Sequence, residues 1–518
     1  MNRRALLFLV VLVATFAVTA QFYRNSTPKP GEASITVYCA AGLKKPVDAI
    51  AARYREELGV EVHLQYGGTG TLLGAIRVAK QGDLFIAADD GSLEDARKAD
   101  SIREVVPLVR QHPVIAVRTG NPKGIQSAKD LWRDDVRVAL ANPDAASIGR
   151  SVRSALGGDW EALASHAAVM KTTVTEIASD LSIGAVDAAI IWDSTVPQFA
   201  GLAAVEVPEL QAKVEKASAA VLTASTQSPA ALRFARYMAA PEKGGAIFKA
   251  NGFEPIGGDH WAVTPEMILY SGGVNRLAIE KLLHQFSERE GVTVTTVFNG
   301  CGILCATMKT MGDSSNPKFP DAYYACDLCF VPPVAEQFPE AVILTETEIG
   351  IVVKKGNPLG IHTLADLAKP GLKVGLCNAE QSTLGYMTRG MLQSSGLAES
   401  VRANVRVEVP TADLLITQMR AGALEAAIVY RVNAAPQAEH LDYLPIDHPG
   451  AKAVQPFSVR ADSPNRQLAG RLLAFLQAHR GSFEEAGFSW RGDEAPIKSN
   501  KIVVPDWLKP PVPAAESK

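Results

Sequence analysis

The chain repeats itself, and the repeat limits the fold more tightly than any other feature, because both copies must form the same folded unit. Tyr38-Cys-Ala-Ala-Gly-Leu-Lys, after Ile35-Thr-Val, returns as Tyr270-Ser-Gly-Gly-Val-Asn-Arg after Met267-Ile-Leu. Gly59-Val-Glu-Val-His-Leu-Gln-Tyr-Gly-Gly-Thr-Gly returns at the same offset of 232 residues as Gly291-Val-Thr-Val-Thr-Thr-Val-Phe-Asn-Gly-Cys-Gly. Arg118-Thr-Gly-Asn-Pro-Lys-Gly-Ile and Val136-Arg-Val-Ala-Leu-Ala-Asn return 236 residues on, from Lys354 and from Leu372. Gly184-Ala-Val-Asp-Ala-Ala-Ile-Ile-Trp returns as Gly422-Ala-Leu-Glu-Ala-Ala-Ile-Val-Tyr. A chain of 518 residues also exceeds what one hydrophobic core serves. The expected organisation is a leader or anchor with a linker over 1–30, a first module over 31–262, a second, cysteine-rich module over 263–512 and a tail over 513–518.

Within the first copy, β-branched runs at Ile35–Tyr38, Val60–Tyr66, Leu84–Ala87, Val114–Val117, Val136–Ala139 and Ala188–Ile191 alternate with helical stretches such as Pro46–Leu58. That alternation predicts an α/β fold with parallel sheets flanked by helices. The formal charge of -3 comes without a basic block that could follow a phosphate backbone, so nucleic acid is not an expected partner. Arg3 and Arg4 precede an apolar run over Ala5–Ala20 that reads as a signal peptide or an uncleaved anchor, placing the rest outside the cytoplasm. No Ser-His-Asp order, phosphate loop or HExxH segment points to an enzyme. The histidines show no paired spacing for a metal.

Function then rests with the turns, since ligands of open α/β sheets sit where strands open into helix N-termini, with free N–H groups and partial positive charge. Three turns of the first copy qualify: Ala40-Ala-Gly-Leu, Gly67-Gly-Thr-Gly-Thr-Leu and Ala141-Asn-Pro-Asp-Ala-Ala-Ser-Ile-Gly-Arg. Each alone reads equally well as a tight turn or a helix cap.

Together with Gly82-Asp-Leu-Phe-Ile-Ala-Ala-Asp-Asp and Ile190-Ile-Trp-Asp, these turns resemble the successive motifs of the periplasmic molybdate-binding proteins of ABC importers. The resemblance covers roughly Ser34 to Gly258, and the second copy more loosely. It implies two tandem type II periplasmic-binding-protein modules, each of two α/β lobes around a cleft, with an oxyanion such as molybdate or tungstate as ligand and a membrane-bound ABC permease as partner. Carried across, the ligand-binding candidates are Gly42, Thr69, Gly70, Thr71, Ala141, Asn142, Trp192 and Asp193, and in the second copy Gly272, Cys301, Gly302, Cys377 and Tyr430. The family usually has Ser where Gly42 stands and Tyr where Trp192 stands, so two hydroxyl donors are absent from the first copy. The crossing strands near Val114–Arg118 and Ile349–Lys354 are expected to act as hinges.

Five of the six cysteines fall in the second copy. Cys301 replaces Thr69 and Cys377 replaces Ala141, while Cys326 and Cys329 flank an Asp-Leu pair that reads as the counterpart of Asp83-Leu84. Cys301, Cys305 and Met308 share one face if their segment is helical. C-x3-C followed by C-x2-C is compatible with a tetrathiolate site for a soft metal such as Zn or Cu, and equally with two disulfides or with free thiols. The thiols also leave open a second function class, a soft-metal or thiophilic-ligand module.

Overall fold

A computed structural model describes residues 34–312 and 315–508, so the leader or anchor and the tail lie outside the described residues. The chain divides into two compact units between Val263 and Thr264. Among the described residues no helix is long and apolar enough to cross a membrane.

The first unit opens with β1 (Ser34–Ala40), α1 (Lys44–Leu58), β2 (Glu61–Gly67), α2 (Thr69–Ala79), β3 (Leu84–Ala87) and α3 (Asp90–Lys98). Helix α1 buries Val47, Ile50, Ala51 and Tyr54 at helical spacing against the sheet, and ends at Gly59 with φ 73°. That left-handed C-cap is one that glycine adopts without strain. β4 (Ile102–Gln111) then leaves this lobe, and β5 (Pro113–Arg118) enters the next. The second lobe holds β6 (Val138–Ala141), α4 (Ser147–Leu156), β7 (Val169–Lys171), α5 (Val174–Ser182), β8 (Ala188–Trp192) and β9 (Leu202–Val205), before β10 (Glu215–Leu222) returns to the first and β11 (Glu254–Pro255) edges it. The two sheets run β11-β4-β10-β3-β1-β2 and β7-β6-β8-β5-β9.

The expected parallel pairs are present in β1–β2, β1–β3, β6–β7 and β6–β8. Pairings by β10 and β5 are antiparallel, because a chain that crosses between lobes and returns must reverse direction. The crossing itself lies at His112, between β4 and β5. Val114–Arg118, where the hinge was expected, lies wholly inside the second lobe's sheet.

The second unit repeats this order with β12 (Glu266–Gly272), α6 (Arg276–Glu290), β13 (Thr293–Asn299), α7 (Cys301–Met311), β14 (Ala322–Tyr324), β15 (Glu340–Lys354), β16 (Val374–Cys377), α8 (Thr383–Ser394), β17 (Val405–Val409), β18 (Ala426–Tyr430), β19 (Leu441–Pro445) and β20 (Lys452–Val459). Here the crossing strand is unbroken. β15 pairs with β20 up to Glu348 and with β18 from Ile349, joining both lobes through one strand.

One point of repeat register needs correcting. Leu84 pairs with Val37 and Ala322 with Leu269, so Asp83 corresponds to Asp321, not Asp327. The hydrogen bonds agree: Asp83 accepts from Thr36 N (2.9 Å) and Asp321 from Ile268 N (2.7 Å). Asp327 instead matches Asp89, each accepting an amide of the turn that follows. Cys326 therefore stands at the position of Ala88.

Candidate functional site: two clefts built on one plan

In each copy the glycine-rich turn closes against the opposite lobe. Gly70 N and Thr71 N donate to Ala145 O at 2.9 and 3.2 Å, across the first cleft. A Cβ at Gly68 would lie 2.3 Å from Thr172 O, and one at Gly70 2.2 Å from Asp144 O. At the matching positions, a Cβ on Gly300 would lie 2.2 Å from Gln381 O, and one on Gly302 2.1 Å from Glu380 O. These glycines are present because two backbones meet there, leaving no space for a side chain. Of the expected donors, the Gly70 and Thr71 amides are thus engaged in lobe closure.

The first cleft encloses a cavity of about 10 Å3, lined by residues that include Gly42, Thr69, Ser147, Val174 and Trp192. Thr69 begins α2 and Ser147 begins α4, and neither helix carries an acidic residue in its first turn. Neither N-terminal partial charge is thus met by a carboxylate of its own first turn. Thr69 Oγ1 and Thr195 Oγ1 are buried without a hydrogen-bond partner. Buried hydroxyls are ordinarily paired, so the orphaned Thr69 hydroxyl on the cavity wall marks a place for a polar group, with that of Thr195 next to the lining residue Gly42. No lysine or arginine is among the lining residues, and the donor set is neutral.

The missing serine at Gly42 has a local cause. A Cβ there would stand 3.0 Å from Val174 Cγ1, and Thr195 Oγ1 lies 3.8 Å from the same point, so Thr195 brings a hydroxyl to this corner. Ser147 and Thr195 are the residues that sequence reasoning missed. Ser147 stands at the end of the turn that opens at Ala141, where α4 begins, whereas Thr195 follows β8 in a 3-10 turn without a motif. Ala141 and Asn142 do not line the cavity. Asn142 builds the turn, its amide donating to Lys171 O and its Oδ1 accepting from Asp144 N. Asp193 accepts from His112 N at 3.0 Å and ties β8 to the crossing point, where burial pushes its carboxyl up.

The second cleft keeps the plan and changes the chemistry. Cys301 begins α7 where Thr69 begins α2, and α7 is helical as expected, with Cys301 and Met308 buried on one face. Cys301 Sγ and Cys326 Sγ are 3.0 Å apart and share a hydrogen bond, and Cys326 N donates to Cys301 Sγ at 3.1 Å. A Cβ at Gly272 would lie 2.2 Å from Cys326 Sγ. Gly272 and Cys326 thus replace the pair Ala40 and Ala88, the glycine giving up the volume that the thiol takes. Burial pushes the Cys301 thiol up, but the Cys326 thiol, the Tyr323 hydroxyl, the Cys326 amide and the Thr383 hydroxyl surround its sulfur and hold it below the ordinary thiol range. Cys326 is pushed well above that range by its bond to Cys301 and by burial. The Tyr430 hydroxyl is buried without a partner and faces the field of both sulfurs.

Of the four clustered cysteines, Cys301 and Cys326 are the pair whose sulfurs meet. Among the described residues no group of three or more His, Cys, Asp or Glu side chains is arranged to hold a metal ion, and all six cysteines are free thiols. Cys305 takes the core position of Leu73 and lies 3.6 Å from Tyr323 Oη and 3.5 Å from Phe330 O. Burial pushes it up to about 12. Cys377 is pushed up to about 12 by burial and opens on a separate cavity of about 330 Å3, with Asn378, Glu380, Arg389 and Arg402.

Two lobes, two crossings and converging helix N-termini define a ligand-capturing protein of type II architecture, present twice. The chain belongs to the family of bacterial extracellular solute-binding proteins, which it matches over residues 35–254 and again over 268–489. A putative binding protein of Haemophilus influenzae is 31% identical over 164 residues, 31% of this chain and 67% of that one. The molybdate-binding protein ModA of Mycobacterium tuberculosis is 26% identical over 238 residues, 44% of this chain and 86% of its own. Among solved structures, the periplasmic molybdate-binding protein of Azotobacter vinelandii aligns with 98% of its length to 42% of this chain, at 19% identity and a TM-score of 0.35.

Proposed function

We propose that this chain is an extracytoplasmic solute-binding protein whose first cleft captures a small tetrahedral oxyanion of the molybdate, tungstate or sulfate type and presents it to an ABC permease. The observation that carries this reading is the orphaned, buried hydroxyl of Thr69 on the cavity wall, beside two helix N-termini with no acid in their first turns, with a second orphaned hydroxyl, that of Thr195, next to the lining residue Gly42. Such a site meets an anion with neutral donors and dipoles, and needs no counter-charge. The relatives named for molybdate and a sulfate-binding protein of Synechococcus elongatus, 27% identical over 179 residues, support the ligand class.

A cavity of about 10 Å3 holds no more than a water molecule, so capture requires the lobes to part and re-close with the anion between them. The crossing at His112 is the place for that motion, and the Gly70 and Thr71 bonds to Ala145 are the contacts it breaks. Selectivity then follows from how far the lobes can re-close around anions of different size.

The test is titration calorimetry of the full-length protein with molybdate, tungstate and sulfate, repeated on Thr69→Ala. One equivalent bound to the wild-type protein and weakened about tenfold in the variant, the worth of one hydrogen bond to an anion, is the expected result. Absence of heat and of any melting shift at millimolar levels of all three anions rejects the reading.

A further inference from the structure

We propose that the second cleft is a dithiol site for a trivalent metalloid hydroxide of the arsenite class, bonded by Cys301 and Cys326 and capped by Tyr430. The repeat itself serves as the internal control. Ala40, Thr69 and Ala88 line the first cavity, and their counterparts are Gly272, Cys301 and Cys326. Two of the three changes depend on one another, since the Cys326 sulfur fits only because Gly272 lacks a side chain. The lobe-closing glycines Gly300 and Gly302 are retained, so the cleft keeps its means of closure while its donors change from hydroxyl to thiol.

Geometry selects the ligand class. A linear two-coordinate cation spaces its sulfurs at twice the metal–sulfur bond, about 4.6 Å for a bond of about 2.3 Å. A pyramidal centre with near-right angles spaces them at about 3.3 Å for the same bond length. The observed separation of 3.0 Å is nearer the pyramidal value. A disulfide would require about 2.0 Å. With two sulfurs converging and no third acidic or imidazole ligand among the described residues, the third ligand of a pyramidal centre is its own hydroxyl. The buried, unpartnered Tyr430 hydroxyl, from the opposite lobe, is placed to meet it. An oxyanion is disfavoured here, because a soft sulfur, that of Cys301, stands at the start of α7 where the first cleft offers the hard Thr69 hydroxyl at the start of α2.

The step involves no oxidation. The Cys301 thiolate attacks As(OH)3 and displaces one hydroxide, which leaves as water with the Cys326 proton. Cys326 sulfur then displaces a second hydroxide, which leaves as water with a proton from solvent. Two As–S bonds form, two As–O bonds break, and arsenic stays trivalent with one hydroxyl.

The experiment is titration of the reduced full-length protein with sodium arsenite, read by native mass spectrometry and thermal shift. The expected result is one equivalent bound, with a mass gain of one AsOH unit less two hydrogens. Binding should be lost in Cys301→Ser and in the double variant Gly272→Ala/Cys326→Ala, which restores the first copy's alanine pair and so guards against a mere folding defect. It should be retained in Cys305→Ser and Cys329→Ser, and weakened about tenfold in Tyr430→Phe, as one lost hydrogen bond predicts. Three results overturn the proposal: no binding by reduced protein, binding that survives Cys301→Ser, or a Cys301–Cys326 disulfide in anaerobically isolated protein. Because the first cleft has no sulfur donor, failure with arsenite and failure with molybdate are separate outcomes.

Discussion

The two clefts show how one backbone plan holds two kinds of site. Glycines 68 and 70 and glycines 300 and 302 make the same close approach to the opposite lobe, and the two aspartates that flank the third strand, one bonded to the first strand and one to the turn that follows, are kept in both copies. What differs is the set of side chains projected into the space so made. The lobes are also held together differently. In the first copy Arg150 of α4 reaches across to Asp95 of α3 at 2.6 Å, whereas in the second Tyr386, at the position of Arg150, meets Phe330 edge-on with ring centroids 5.7 Å apart. At the crossing, His112 and Asp193 of the first copy are matched by Glu348 and Arg431, an ion pair at 3.3 Å with the carboxylate on the other strand. Backbone contacts set the motion, and side chains set what is caught and how firmly closure is latched.

The comparison breaks most visibly at a contact that the second copy alone possesses. Arg471 forms a buried two-pronged pair with Glu290, at 2.7 and 3.1 Å, where the first copy has Arg233 and Leu58. Glu290→Leu imports the first copy's residue but removes both hydrogen bonds of this buried pair, and should destabilise the second module by about 3 kcal/mol. Denaturant unfolding of the full chain checks this, with loss confined to one of two transitions.

Next in size are the closure glycines. Gly70→Ala and Gly302→Ala each press a Cβ onto the opposite lobe's backbone, which costs about 1–3 kcal/mol in the closed form. Each should weaken its own module's ligand about 10- to 100-fold and leave the other unchanged, as read by calorimetry. Thr195→Val removes one of the orphan hydroxyls and should weaken the oxyanion about tenfold, with no effect on the second cleft. The smallest effect concerns the latches. Arg150→Ala, or added salt, should loosen closure of the first copy by less than about 1 kcal/mol, because the pair is partly exposed. Salt should leave the Tyr386–Phe330 contact unmoved, and small-angle scattering at two ionic strengths reports the change.

Much of this was legible in the sequence. The repeat, the alternation of strands and helices, and the glycine turns could be read because backbone geometry demands particular residues at those points. Cys326 was placed in the wrong register because Asp327-Leu328 imitates Asp83-Leu84, although the residue that does Asp83's work is Asp321. Both aspartates accept backbone amides, and spacing cannot say which of two similar turns an insertion precedes. Thr195 gains significance only from having no partner in the folded chain, which no linear pattern reveals, whereas Tyr430 was legible from its place in the repeat. Ala141 and Asn142 carried a turn signal that was real, but the polar group beside the cavity is Ser147, the first residue of the helix that the turn begins.

Competition calorimetry on the reduced full-length protein bears most directly on two chemically distinct clefts. Tungstate and arsenite should each bind one equivalent, with neither displacing the other, Thr69→Ala weakening only the first and Cys301→Ser abolishing only the second. Displacement of one ligand by the other, or loss of both in a single variant, would contradict the division of labour between the two copies.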